Sequence, residues 1–320
     1  MNAFLLRNGW GKARSEPLAG DASSRRYARL TRDGQTAILM QDPDGDVALF
    51  ARLARHLKAI GLSAPGIMAQ DVDSGQLLIE DLGDGLIARL AGTPETERTL
   101  YSLATEALIA LHRHDPPSGL PLASPDRLAG MIDLAFLHYT HAPAAMAAAI
   151  AAFRPLLEAH ALPADVMILR DYHAENILHL PDRTGPARAG LLDFQDALRG
   201  HRAYDLISLL EDARRDVAPD TRAACIAQYL SSTGVHEADF LTSLSVLGAQ
   251  RNLRILGVFA RLAATRGKPH YIALIPRVWG HLQNDLAHPA LAPIRDVLQD
   301  ALPAPTADLL QRLKTECPTP

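Results

Sequence analysis

The side chains able to do chemistry gather in two short stretches. In residues 167–180, MILRDYHAENILHL, apolar runs flank Arg170, Asp171, His173, Glu175 and Asn176. In residues 190–197, GLLDFQDA, an apolar run leads straight into Asp193. Burying charge is costly unless the charge is paired or used. Asp171 and Asn176 form the pattern D-x-x-x-x-N, and Asp193 follows after a loop and a strand. A phosphoryl-transfer site needs this set: one carboxylate to orient and deprotonate a hydroxyl, and a carboxylate plus an amide oxygen to hold Mg²⁺ on phosphates. A polar loop between two strands, with Asn176 capping a turn, would carry the same residues. Both motifs in order, each behind an apolar strand and after a β-rich region, favour the chemical reading.

Such a set must be held by a scaffold. SEPLAG and RRYARLT read as short strands around the polar turn DASS, and Asp33-Gly34 offers a hairpin turn into QTAILMQD. DVALFARLARHLKAIG has helical spacing and a Gly61 stop. After the break at Pro65-Gly66 come IMAQDVD, the turn DSG and QLLIEDLGDG. The pattern predicts a mostly antiparallel sheet with one helix, ending near Gly83. Beyond it the periodicity is helical, in ETERTLYSLATEALIALHRH, PAAMAAAIAAFRPLLEAHAL and most of the segment from Glu237 onward. The organisation expected is a small β-rich lobe over 1–83, a hinge near Glu80 to Asp84, and a large α-rich lobe over 84–320, an α+β class.

Composition narrows the function. The 320 residues are 48% hydrophobic and 21% charged, with a net charge of -4, so no basic bias points to nucleic acid. Two cysteines, Cys225 and Cys317, make no disulfide framework and imply a reducing, cytoplasmic setting. The N-terminal stretch shows no signal peptide, and APAAMAAAIAAF is too short to span a bilayer. No zinc pattern, nucleophile elbow or P-loop is present, and His112 and His114 read as a helix end.

With LAGDASSRRYARL, ILMQDP, LLIEDLGD, RDYHAEN and LLDFQDALRGHRAYDLISLLEDARRDV, the chain resembles the aminoglycoside phosphotransferase and choline kinase group. Within it the chain is most similar to the anomeric kinases of N-acetylmuramate and N-acetylglucosamine that recycle cell-wall sugars. The resemblance implies a protein-kinase-like two-lobe fold, with ATP and Mg²⁺ as cofactors and a small amino sugar as acceptor. It makes Asp171 the catalytic base facing the anomeric hydroxyl, and Asn176 and Asp193 the magnesium ligands. Asp205 would hydrogen-bond the catalytic-loop backbone, although an acid near a helix N-terminus is also favoured by the dipole. Ala22, Ser23 and Ser24 fall where a loop covers the phosphates, and backbone groups around Glu80 to Leu82 would meet adenine. His173 would steady the loop. Glu175 reaches substrate or solvent, and Asp196 meets sugar hydroxyls or caps a helix running on from Ala197. Arg251 and Arg254, three apart on one helix face, suit the lactyl carboxylate of N-acetylmuramate; a solvated helix face is the plainer reading.

The chain also departs from the kinase pattern. The third strand carries Met40 and Gln41 where a phosphate-pairing Lys usually stands, the following helix has no Glu, and Leu169 replaces a His. An Arg of SSRRYAR, Arg26 first, is the expected substitute for the Lys; the plainer reading of Arg25, Arg26 and Arg29 is a solvated strand face. The rivals are a kinase of an aminoglycoside, amino alcohol or homoserine, and a pseudokinase that binds nucleotide without turnover.

Overall fold

The computed structural model describes residues 2–18, 25–140 and 142–315. A short helix α1 (Ala3–Arg7) precedes strands β1 (Arg14–Leu18), β2 (Arg26–Arg32) and β3 (Gln35–Gln41). Helix α2 (Val47–Ala59), strands β4 (Ile67–Asp71) and β5 (Gln76–Ile79), and helices α3 (Ile87–Leu90) and α4 (Pro94–Leu111) follow. Next come α5 (Pro125–Gly130), α6 (Pro143–His160), and the short strands β6 (Val166–Ile168), β7 (Ile177–His179), β8 (Ala189–Leu191) and β9 (Leu198–Gly200). Helices α7 (Ala203–Leu210), α8 (Pro219–Thr233), α9 (Glu237–Arg266), α10 (Ile275–Leu286), α11 (Ala292–Ala301) and α12 (Ala307–Thr315) fill the rest. No helix among the described residues is long and apolar enough to cross a membrane.

The chain divides into two compact units: Met1–Pro117 with Ala174–Asp196, and Ser118–His173 with Ala197–Pro320. The first is built on an antiparallel sheet of order β1-β2-β3-β5-β4. Its hairpin turn is the expected one. Asp33 and Gly34 both have positive φ, 50° and 77°, as a two-residue primed turn requires, and Arg32 stands opposite Gln35. Strand β3 buries four consecutive residues, Ala37, Ile38, Leu39 and Met40, so both of its faces are covered. Helix α2 is capped by Asp46, whose carboxylate accepts from Leu49 N–H at 2.8 Å. The helices α3 and α4, beyond residue 83, belong to this unit.

The β7–β8 hairpin is sewn into the same unit by backbone bonds. His179 N–H donates to Gly85 C=O at 2.7 Å, and Leu191 N–H to Ser63 C=O at 2.7 Å. The approach at Gly85 demands glycine, because a Cβ there would lie 2.8 Å from the His179 carbonyl oxygen.

In the second unit β6 pairs with β9, Ile168 opposite Leu198 and Val166 opposite Gly200. The helix expected to run on from Ala197 is therefore a strand first. Leu198 and Gly200 face inward and Arg199 outward, a period-two burial, and helix α7 starts only at Ala203. All eight residues of α7 are buried; six are hydrophobic, and the two polar ones, Asp205 and Ser208, both bond the backbone of the Asp171 loop. The 30-residue α9 carries the unit's core and ends on Gly267 in the left-handed conformation.

Candidate active site

The hairpin of the first unit brings two of the expected residues together. Asn176 immediately precedes β7, Asp193 lies just past β8, and Leu192 N–H donates to Asn176 C=O at 2.9 Å. The ladder thus sets the amide and the carboxylate at one end of the hairpin. Asp193 has φ 54°, an uncommon conformation for a residue with a side chain. The next residue anchors it, since the fully buried Phe194 ring packs 4.8 Å from that of Phe50 in α2. The Oδ1 of Asp193 accepts from Arg25 Nη1 at 2.9 Å and from Gln195 Nε2 at 3.0 Å. Arg25 Nε also lies 3.2 Å from Asp42 Oδ2. Burial alone would lower the Arg25 guanidinium, but the Tyr27 phenol and Asp193 outweigh it and hold it above its ordinary value.

The donor chemistry fits magnesium. An amide oxygen and a carboxylate are hard oxygen ligands, and magnesium is commonly held by one or two such groups together with substrate phosphates. Among the described residues no cluster of three or more His, Cys, Asp and Glu forms an all-protein cage.

The three arginines of the β2 segment divide their work. Arg29 pairs with Asp81 at 2.7 Å and Asp84 at 2.8 Å, and it holds the Asp84 carboxyl below its usual range. Arg26 is exposed opposite Gln41. Only Arg26 therefore matches a solvated strand face, and Arg25 rather than Arg26 stands beside Asp193. Ala22, Ser23 and Ser24 lie outside the described residues. Glu80 commits its side chain to the fold, accepting from Gly66 N–H at 2.9 Å and from Arg183 Nη2 at 2.6 Å. Its backbone N–H is bonded to Gly66 C=O at 2.8 Å.

The second unit shapes the loop of Asp171. Asp205, fully buried in α7, accepts from Leu169 N–H at 2.5 Å and Arg170 N–H at 2.8 Å, one bond to each oxygen. Ser208 Oγ donates to Arg170 C=O at 3.0 Å. Arg170 takes φ 71°, and the exposed Asp171 follows it. Burial pushes the Asp205 carboxyl up to about 7 against the pull of its two backbone donors. His173 is buried, and that burial holds its imidazole below the ordinary value. Asp212, Arg214, Asp171 and Arg251 are the charges it feels. Arg251 is only 7% exposed and donates to Glu211 C=O at 3.0 Å, so a solvated helix face does not describe it. Arg254 is half-buried, and burial, then the like charge of Arg170, lowers it. In the first unit, Glu175 and Asp196 are exposed, Asp196 accepting from Gln195 Nε2 at 3.4 Å.

Two contacts escaped sequence reasoning. The Glu80–Arg183 pair joins residues 103 apart and leaves no local signal. The Arg25–Asp42 pair was legible: the turn that puts Arg32 opposite Gln35 and Arg26 opposite Gln41 puts Arg25 opposite Asp42 one step further.

Residues 14–241 match the phosphotransferase enzyme family. The chain belongs to that family. It is 38% identical to an N-acetylmuramate/N-acetylglucosamine kinase of Caulobacter vibrioides, covering 95% of this phosphotransferase and 96% of that protein. A kinase of the same name from Pseudomonas aeruginosa is 31% identical, over 92% and 91%. Among solved structures, a choline/ethanolamine kinase family protein from Mesorhizobium loti superposes with a TM-score of 0.64 at 16% identity, covering 93% and 96% of the two chains. The ADP-bound aminoglycoside phosphotransferase APH(2'')-Ib superposes with a TM-score of 0.57 at 16% identity, over 88% and 97%. The phosphotransferase thus has the protein-kinase-like α+β fold expected from its motifs.

Proposed function

We propose that this phosphotransferase moves the γ-phosphoryl group of ATP to the anomeric hydroxyl of N-acetylmuramate and N-acetylglucosamine, giving the α-1-phosphates in cell-wall sugar recycling. The observation that carries the reading is near full-length similarity to kinases of that name, at 38% identity over 95% of the chain. Asp171 orients the sugar hydroxyl and accepts its proton late, because a loose transition state makes positioning and charge neutralisation the main tasks. Asn176 and Asp193 are the residues that would hold magnesium, which supplies positive charge to the phosphates when bound. Ala22, Ser23 and Ser24 cover the phosphates, and the backbone of Glu80 to Leu82 meets adenine. His173, Glu175, Asp196, Arg251 and Arg254 face the acceptor, the two arginines reading the lactyl carboxylate. The 1–83 and 84–320 lobes and a cytoplasmic setting belong to the same reading.

A coupled ADP-release assay over amino sugars, aminoglycosides, amino alcohols and homoserine tests it, with phosphorus NMR of the product. Rapid ADP release with both sugars and a 1-phosphate product are expected. Turnover confined to an amino alcohol or aminoglycoside would replace the substrate. Nucleotide binding with no turnover of any acceptor would make the chain a pseudokinase.

A further inference from the structure

Phosphoryl transfer needs a cation on the phosphates besides the metal, and this chain lacks the third-strand Lys. Met40 is buried and uncharged. Lys58 lies 3.5 Å from Glu80, and Arg29 is taken by Asp81 and Asp84. Arg25 differs from these. Its side chain is 11% exposed, its Nε lies 3.2 Å from Asp42 Oδ2, and its Nη1 lies 2.9 Å from Asp193 Oδ1. All three residues belong to one compact unit.

We propose that Arg25 competes with the divalent cation for Asp193 and, once displaced, supplies the phosphate-pairing charge that the third strand lacks. The inference rests on reading Asn176 and Asp193 as the metal ligands. Asp193 Oδ1 already receives both Arg25 and Gln195. A carboxylate that takes a dication cannot keep a guanidinium on the same oxygen without setting like charges against each other. Asp42 grips Nε at the root of the guanidinium, so the stem stays anchored while the Nη fork turns. A planar fork with paired N–H donors matches phosphate oxygens. Arg25 also directly follows GDASS, the stretch where a phosphate-covering loop is expected. The register that sets Arg26 opposite Gln41 puts Arg25 and Asp42 one step beyond the ladder, where their side chains pair.

The experiment measures binding rather than turnover. Mn²⁺ alone is titrated by electron paramagnetic resonance, and a non-hydrolysable ATP analogue with Mg²⁺ by calorimetry. Wild type is compared with Arg25→Ala, Arg25→Lys and Arg26→Ala, with Arg14→Ala as a surface control. Arg25→Ala should bind Mn²⁺ about tenfold more tightly and the Mg-nucleotide about tenfold more weakly, the scale of one hydrogen bond between charged groups. Arg25→Lys should recover nucleotide affinity in part. Weakening of both ligands by Arg25→Ala, with lysine giving no recovery, would make Arg25 a merely structural residue. A nucleotide defect in Arg26→Ala but not Arg25→Ala would move the role to its neighbour. If wild type binds the Mg-nucleotide but phosphorylates no sugar, the proposed substrate falls and the role of Arg25 stands. If it binds none, both fall.

Discussion

Replacing Asp205 by Asn sets two opposed effects against each other, and pH decides between them. The native carboxyl is raised from 3.8 to about 7, chiefly by burial. At roughly 1.4 kcal/mol per unit, the fold disfavours the ionised form by about 4 kcal/mol. The sign follows from proton binding. The native state holds this proton more tightly than the unfolded chain, so the stability it contributes is full below 3.8 and is lost as pH rises through about 7. Between about pH 5 and about pH 8 the loss amounts to roughly 3 kcal/mol. Asp205→Asn cannot ionise and has no such slope. It does turn an amide NH₂ toward one of the two backbone donors, Leu169 N–H or Arg170 N–H, and one buried unsatisfied pair costs about 1–3 kcal/mol. The variant should therefore be less stable than wild type by about that amount in the acid range and equal or more stable near pH 8. Urea denaturation of both proteins at several pH values reads only their difference, so the other titrating groups cancel. A stability gap that stays constant across the range refutes the reasoning. Turnover should fall at every pH, because the loop that carries Asp171 loses one of its two bonds to residue 205.

Asp171→Asn should melt like wild type, since the side chain is exposed, and lose at least about a hundredfold in kcat, the scale of general base catalysis; near-normal kcat would remove Asp171 from the mechanism. Phe50→Ala should cost about 3–5 kcal/mol by urea denaturation, as expected for a buried aromatic, and should also lower kcat because Phe194 loses its backing beside Asp193. Glu80→Gln weakens the pair with Arg183, whose side chains are 34% and 30% exposed, so the loss should stay near 1 kcal/mol or below; a larger shift in calorimetric melting would mean that the hairpin depends on this charge. Arg251→Ala should raise KM for N-acetylmuramate more than for N-acetylglucosamine, and equal damage to both in steady-state assays would end the carboxylate-reading role.

Much of the candidate site was legible because local chemistry wrote it. The D-x-x-x-x-N spacing, the apolar strand before Asp193 and the primed turn at Asp33-Gly34 are short-range signals, and each depends on a few adjacent dihedrals or side chains. The turn even carried the Arg25–Asp42 pairing in its register. The segment after Asp196 misled because three residues of alternating burial just ahead of helix α7 hold too little periodicity to mark a strand; only pairing with β6 makes them one.

The sequence by itself determined which groups could do the proposed chemistry and the order in which they arrive, because reaction type demands particular atoms at particular spacings. It also carried the departures at Met40 and Leu169. Only the tertiary structure decided what those groups touch. Asp205 became the acceptor for two loop amides because α7 buries it completely. Arg25, not Arg26, met Asp193 because the β2–β3 ladder and the β7–β8 hairpin converge in one compact unit. Such contacts join residues up to 168 apart, and at that separation nothing local in the chain records them; packing alone selects them.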